Sequence, residues 1–300
     1  MLLRRFAAVL LAMAVPACSI KKMAVNALGN ALAEGGSTFA SDEDPELVRE
    51  AVPFGLKTTE SLLEVNPRHE GLLYSAASGF TQYAFAFIQQ DADFVEAEDL
   101  SRATALRLRA KKLYLRARDY GMRGLEVDFP GLRGRLTADP ARALVPMGRE
   151  HVRLLYWTAA SWAAAMALAK DDSSLTADQH LAEAMMRRAL ALDETFDLGA
   201  IHDFFISYEA GRSSVGGSIE KAREHFERAL AIAAGRRAWP YVSFAESASV
   251  GKQDRTEFQR LLERALAVDV DRAPGQRVAN LVAQKRARWL LARADELFIE

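Results

Sequence analysis

The chain has 300 residues, half of them hydrophobic, and its 39 basic and 40 acidic side chains give a formal net charge of −1. A chain of this length can bury a large core. Its balanced charge lacks the basic surface that nucleic-acid binding requires. Nine prolines, eighteen glycines and the absence of alternating strand patterns predict an all-α protein.

The start of the chain has the pattern of a bacterial lipoprotein leader. Two arginines precede an apolar run over residues 6–15, which is too short to span a bilayer. Val15-Pro16-Ala17-Cys18 follows as a lipobox, and Cys18 is the only cysteine, which argues against a disulfide framework. We expect a signal peptide over residues 1–17 and acylation of Cys18. An ordinary secretory leader is the alternative, since Pro16 is unusual in a lipobox.

These features predict a bacterial periplasmic protein anchored by lipid alone. Ser19, directly after the cysteine, favours the outer membrane over the inner one. Residues 18–44 are expected to form a tether with an entry helix, and residues 45–300 a single all-α domain.

Helix start and stop signals divide that domain. Asp44-Pro45 opens a helix that runs to Val65, within which Pro53 should introduce a kink or a break. Residues 128–148, rich in proline and glycine, are expected to be mostly connection. Further helices are predicted over 70–90, 98–126, 150–170, 176–193, 196–210, 218–234, 238–249, 254–269 and 276–298.

A repeated segment is the main architectural signal. Residues 186–192, 226–232 and 262–268 share Arg-Ala-Leu-Ala and fit the second-helix pattern of a tetratricopeptide (TPR) repeat. This predicts a TPR-like superhelix of degenerate repeats built from paired antiparallel helices. The alternative is ordinary helix composition in an alanine-rich protein. The residues expected to pack between repeats are Ala182, Met186, Ala189, Ala222, Phe226, Ala229, Leu262 and Ala265.

Two of the predicted helices, 70–90 and 150–170, are apolar and aromatic on nearly every face. They can form a packed core, or they can line a cavity or pore for a hydrophobic ligand, and the sequence leaves both interpretations open. The candidate lining residues are Phe80, Gln82, Tyr83, Phe87, Tyr156, Trp157 and Trp162.

Catalytic motifs are missing from the sequence, including HExxH, GxSxG and a phosphate-binding glycine loop. We therefore expect a protein that is not an enzyme and needs no metal or cofactor. Two weaker alternatives are an acid–base or metal cluster of His202, Asp203, Tyr208 and Glu209, and a metal shared by His180 and Glu183.

Ordered short stretches across the chain carry a family resemblance. They include Cys18-Ser-Ile-Lys-Lys-Met23, Ala77-Ser-Gly-Phe-Thr-Gln-Tyr-Ala84, Leu155-Tyr-Trp157, Gly199-Ala-Ile-His202 and Arg286-Ala-Arg-Trp-Leu-Leu291. In these stretches the sequence resembles that of the T component associated with tripartite ATP-independent periplasmic (TRAP) transporters.

The resemblance implies a helical periplasmic lipoprotein of TPR-like units that forms homotrimers with a channel through each subunit. It also implies pairing with the substrate-binding subunit of the transporter and handling of a hydrophobic small molecule, without naming ligand residues. We expect an accessory component of a solute transport system. The alternative is a TPR-like scaffold lipoprotein for cell-envelope protein assembly, unrelated to transport.

Overall fold

The computed structural model describes residues 26–31, 37–212 and 216–299. The expected signal peptide, Cys18 and much of the tether lie outside these residues. Within them the chain is helical and contains no strand, which confirms the all-α prediction.

Within the described residues, sixteen α-helices follow the short helical stretch 26–31. A π-helical turn, Ala84–Gln89, joins the helices Glu70–Tyr83 and Gln90–Val95, and a second, Ala245–Ser249, extends the helix Trp239–Phe244. The helices are α1 Ser37–Ala40, α2 Pro45–Val65, α3 Glu70–Tyr83, α4 Gln90–Val95, α5 Leu100–Asp128, α6 Leu132–Ala138, α7 Pro140–Leu144, α8 Val152–Ala167, α9 Ser173–Thr176, α10 Gln179–Leu192, α11 Ala200–Ala210, α12 Ile219–Ala233, α13 Trp239–Phe244, α14 Arg255–Leu266, α15 Arg277–Ala292 and α16 Ala294–Leu297.

Side-chain caps set many of the helix starts. The Asp44 carboxylate accepts from the backbone amides of Glu46 and Leu47, and Pro45 occupies the first turn of α2. Asp99 and Asp254 cap α5 and α14 in the same way. Each cap satisfies an amide that the helix itself leaves without a partner, so these boundaries follow from local sequence.

Two local predictions are corrected. Of the kink or break expected at Pro53, the break is not found, because Val48, Leu56 and Leu63 on either side are buried in the core and hold both halves of α2 in place. The segment expected to be connection forms α6 and α7. Asp139 ends α6 and caps α7, and the buried leucines of the two helices pack into the same core.

The side chains predicted to pack between repeats are all buried, the most exposed being Phe226 at 6%. They divide between two hydrophobic clusters. Those of α10 belong to the cluster built around α3, α5 and α8, and those of α12 and α14 belong to the C-terminal cluster. Successive long helices contact one another along the chain, as in α3 with α5, α5 with α8, α8 with α10, and α11 with α12.

The last long helix, α15, closes the arrangement. It contacts α13 and α14, and it also contacts α1 and α2 near the start of the described chain. Arg286 of α15 donates to Asp93 of α4 at 2.8 Å and to both carboxylate oxygens of Glu246. The rings of Trp289 and Phe94 lie 5.3 Å apart. The last helices are therefore held against the first ones.

Among the described helices, none combines the length and the hydropathy needed to cross a bilayer.

The contact between α5 and α8 depends on small residues. A Cβ atom at Gly121 would lie 2.1 Å from the Thr158 hydroxyl oxygen, and one at Gly124 would lie 2.8 Å from Leu154 Cδ2. Glycine at these positions allows the two helices to approach closely.

We predict that Gly121→Ala lowers the free energy of unfolding by about 1–3 kcal/mol, since the added methyl overpacks this contact. Gly134→Ala on α6 is the matched control. It has no atom within 4 Å of the new Cβ and should raise stability by up to about 1 kcal/mol. Urea unfolding followed by circular dichroism measures both. Equal stabilities of the two variants would contradict the close-packing account.

Candidate functional site

Tyr156 and Trp157 of α8 lie together beside the loop that precedes α11. Their rings are 4.9 Å apart in an edge-on arrangement, and Tyr156 is 5.2 Å from the ring of Phe196. Both remain only partly buried, although α8 lies among α3, α5 and α10. This pair is the part of the predicted aromatic set that retains accessible surface deep in the fold.

The other candidate lining residues lie elsewhere. Phe80 is buried and stacks on Tyr120 at 6.0 Å. Tyr83 and Phe87 are buried 5.9 Å from each other, with the guanidinium of Arg49 over Phe87.

Trp162 is also buried and lies under the guanidinium of Arg118. Gln82 is exposed and donates to the Ser78 carbonyl. The structure therefore brings Tyr156 and Trp157 together but does not bring the full set to one place.

An ion pair lies next to Tyr156. Arg237 Nη1 is 2.7 Å from Asp203 Oδ2, and the two side chains are 7% and 11% exposed. Outside this contact, Oδ1 of Asp203 and Nε of Arg237 have no hydrogen-bond partner within the described residues. Buried charged groups are normally both paired and hydrogen-bonded, so this pair is unusual.

The pKa shifts of Asp203 and Tyr156 agree with this buried placement. Burial raises the pKa of Asp203 to about 6, against the opposing effect of Arg237. Burial also raises the pKa of the Tyr156 hydroxyl, with Arg237 acting against the rise and Asp197 and Asp203 adding to it. The four groups therefore share one electrostatic environment.

Arg237 is held by its backbone neighbours. Helix α12 ends with Ala234 and Gly235 in left-handed conformations, at φ 48° and 77°. Asn280 of α15, fully buried, accepts from the Ala238 amide at 2.9 Å and donates to the Arg236 carbonyl at 2.9 Å. The closing helix thus fixes the segment that carries Arg237.

Asp197 is held in a strained turn. Asp197, Leu198 and Gly199 have φ values of 44°, 54° and 90° in succession. Left-handed conformations of this kind cost on the order of 1 kcal/mol each for residues other than glycine and concentrate at functional sites. The Asp197 carboxylate also accepts from Gln276 Nε2 at 2.6 Å.

The alternative cluster of His202, Asp203, Tyr208 and Glu209 separates in space. Nδ1 of His202 faces Nδ1 of His225 at 2.9 Å, Asp203 pairs with Arg237, and Tyr208 donates to Glu183 at 2.5 Å. Glu209 accepts from Arg187. Successive positions of α11 point in different directions, so neighbours in sequence do not form one site.

The second alternative, a metal shared by His180 and Glu183, receives no support. His180 Nδ1 lies 2.9 Å from the Ala177 carbonyl, and Glu183 is engaged by Arg187 and Tyr208. Across the described residues, no group of three His, Cys, Asp or Glu side chains is placed to hold a metal ion.

Sequence reasoning missed Arg237 and Asp197. Arg237 is one of two adjacent arginines in a loop, and nothing in the local pattern separates it from Arg236, whose side chain caps α12 by donating to the carbonyls of Ile232 and Ala233. In the sequence Asp197-Leu198-Gly199, only the glycine indicates a turn.

Comparison with known proteins assigns this helical chain to a family. The family model described as the TRAP transporter T-component matches residues 41–298. The chain belongs to the TRAP transporter T-component family. It is also 31% identical over 302 residues to an uncharacterized protein of Treponema pallidum (strain Nichols), with 94% of each chain covered. The family expectation from the sequence is confirmed, and with it a role as an accessory part of TRAP transport.

The buried groups of this T-component predict opposite pH dependences. The raised pKa of Asp203 means that the folded chain holds a proton more tightly than the unfolded chain, so its contribution to stability falls as pH rises from about 4 to about 6. Burial, followed by the charge of His202, lowers the pKa of His225 to about 4, so its contribution falls as pH drops from 6.5 to about 4.

We therefore predict that Asp203→Asn gains stability relative to wild type as pH rises from 4 to 6, because only the wild type loses the Asp203 contribution over that range. His225→Gln should lose stability relative to wild type over the same range as pH rises. Urea unfolding at half-unit pH intervals measures both differences. Parallel curves for the three proteins would contradict the burial of these groups.

Proposed function

We propose that this T-component is a periplasmic lipoprotein that docks the substrate-binding subunit of a TRAP transporter and offers an interior passage to a hydrophobic ligand. The family match over residues 41–298 carries the proposal. The structural features below support its separate parts.

A TPR-like architecture is supported by the packing of the repeated segments. Alanine at the close-contact positions of α10, α12 and α14 allows neighbouring helices to approach, and Met186, Phe226 and Leu262 fill the space between them. TPR-type stacks present concave surfaces to protein partners. In this proposal residues 45–300 form one such domain.

The interior passage is supported by the closure of the chain through α15. Closure brings α15 into contact with α1 and α2, at the other end of the described chain. Phe85, in the first π-helical turn, meets Trp239 of α13 with ring centroids 5.0 Å apart. A π-helical turn inside an α-helix is frequently found at a functional site.

Docking and self-association need accessible apolar surface. Leu47 and Phe54 are two turns apart on one face of α2 and are 55% and 79% exposed, and Phe39 of α1 is 42% exposed. This face is the strongest candidate for contact with the substrate-binding subunit or between subunits of the expected homotrimer. The tether and the acylated Cys18 would keep the domain at the membrane, with the outer membrane favoured by Ser19.

The proposal predicts both a partner and an anchor. From detergent-solubilised envelope, a C-terminally tagged chain should co-purify the substrate-binding subunit of a TRAP transporter, identified by mass spectrometry. Cys18→Ser should shift the chain from the membrane fraction to the soluble periplasm and leave its circular dichroism unchanged, since the acyl chains are its expected hold on the lipid.

The outcomes separate the candidate functions. Co-purification of outer-membrane assembly factors in place of the substrate-binding subunit would favour the scaffold alternative. Retention of Cys18→Ser in the membrane fraction would contradict the lipoprotein proposal. Substituting Leu47 and Phe54 with serine tests the α2 face, and Leu108→Ser on α5, where Leu108 is 56% exposed, is the matched surface control.

A further inference from the structure

We propose that Asp203 and Arg237, together with Tyr156 and Trp157, form a binding subsite for the zwitterionic head of an amino-acid-like ligand with an apolar side chain. The proposal deepens the interior passage of the preceding section and rests on it. The carboxylate of the ligand would bind Arg237, its ammonium would bind Asp203, and its apolar part would contact the aromatic rings.

The first support is a contrast between two buried arginines of this chain. All three guanidinium nitrogens of Arg286 donate to carboxylates, two of them to Glu246 and one to Asp93. Arg237 is at least as deeply buried, yet only its Nη1 meets a carboxylate oxygen, Asp203 Oδ2 at 2.7 Å, and its Nε has no hydrogen-bond partner in the described part of the chain. Arg286 has the contacts of a structural ion pair. Arg237 keeps a donor, Nε, that no described acceptor meets.

One acceptor of the pair is free as well. Oδ1 of Asp203 has no hydrogen-bond partner among the described residues. An unpaired buried donor or acceptor costs about 1–3 kcal/mol, and more when it is charged. Groups left in this state by the fold alone are suited to a ligand that supplies the missing partners.

The charges of the cluster select the kind of ligand. Nη1 of Arg237 lies 2.7 Å from Oδ2 of Asp203, and the charges of Asp203 and Asp197 both act on Arg237 and on Tyr156. A simple anion would meet two carboxylates, and a simple cation would meet the guanidinium. A zwitterion is neutral overall and offers an acceptor to Arg237 and a donor to Asp203 at the same time.

The cluster is also held in place as a binding site requires. Asn280 fixes the backbone around Arg237, and the strained turn of Asp197 to Gly199 fixes the start of the helix that carries Asp203. The aromatic contact between Tyr156 and Phe196 joins this turn to α8. Pre-organised groups of this kind lose little freedom when a ligand binds.

The test uses four probes that share a phenyl ring and differ in the head group: L-phenylalanine, 3-phenylpropanoate, 2-phenylethylamine and toluene. They are titrated calorimetrically into the full chain carrying Cys18→Ser. We expect L-phenylalanine to bind at least about tenfold more tightly than each of the others, because it alone pairs both charges.

A double variant, Asp203→Leu with Arg237→Met, removes both charges and should still fold, because replacing a buried ion pair with apolar residues is often neutral or stabilising. It should lose the preference for L-phenylalanine. The matched control is Arg109→Met at an exposed arginine of α5, which should keep it.

The outcomes distinguish this subsite from the passage that contains it. Equal affinities for all four probes, or a preference for toluene that the double variant retains, would overturn the subsite and leave the passage intact. Tightest binding of 3-phenylpropanoate would replace the zwitterion site with a simple anion site. Absence of binding for every probe, toluene included, would overturn both the subsite and the passage.

Discussion

The fold depends on the closure of the chain by α15, and this closure depends on Arg286. Its guanidinium reaches back 193 residues to Asp93 and is also held by Glu246 of the second π-helical turn. A buried guanidinium is costly unless its donors are satisfied, so these carboxylates restrict where α15 can lie. Asn280, two turns earlier on the same helix, then fixes the backbone beside Arg237. One fully satisfied arginine thereby positions one that is only partly satisfied.

This arrangement explains how an unfavourable local structure can persist. A buried ion pair with one unpaired donor and one unpaired acceptor, and two non-glycine residues with positive φ, oppose folding. They persist where the surrounding helices are held by other contacts, namely the close approach of α5 to α8 and the burial of the repeated alanines. Violations of local rules are expected at functional sites. Here they lie together around Tyr156, which makes this region the best candidate for ligand contact in the T-component.

Much of the helical framework could be predicted from sequence because its signals are local. Asp44 and Pro45 start α2, and the repeated Arg-Ala-Leu-Ala segments mark α10, α12 and α14. The site could not be predicted in the same way. Asp203 and Arg237 are 34 residues apart and meet only through tertiary packing. The aromatic residues of α8 illustrate the limit. Trp157 and Trp162 have the same residue type and lie on one helix, yet of the two only Trp162 is buried. Local pattern does not show what packs against each face.

The central claim is that the interior around Tyr156 is open to small molecules. Cysteine accessibility tests it directly in a chain whose single native Cys18 is changed to serine. A small methanethiosulfonate reagent should modify Tyr156→Cys at a rate approaching that of Leu108→Cys on the surface. It should not modify Leu155→Cys, whose parent side chain is fully buried one position away. Reaction at position 156 as slow as at position 155 would show a closed aromatic core and contradict the account.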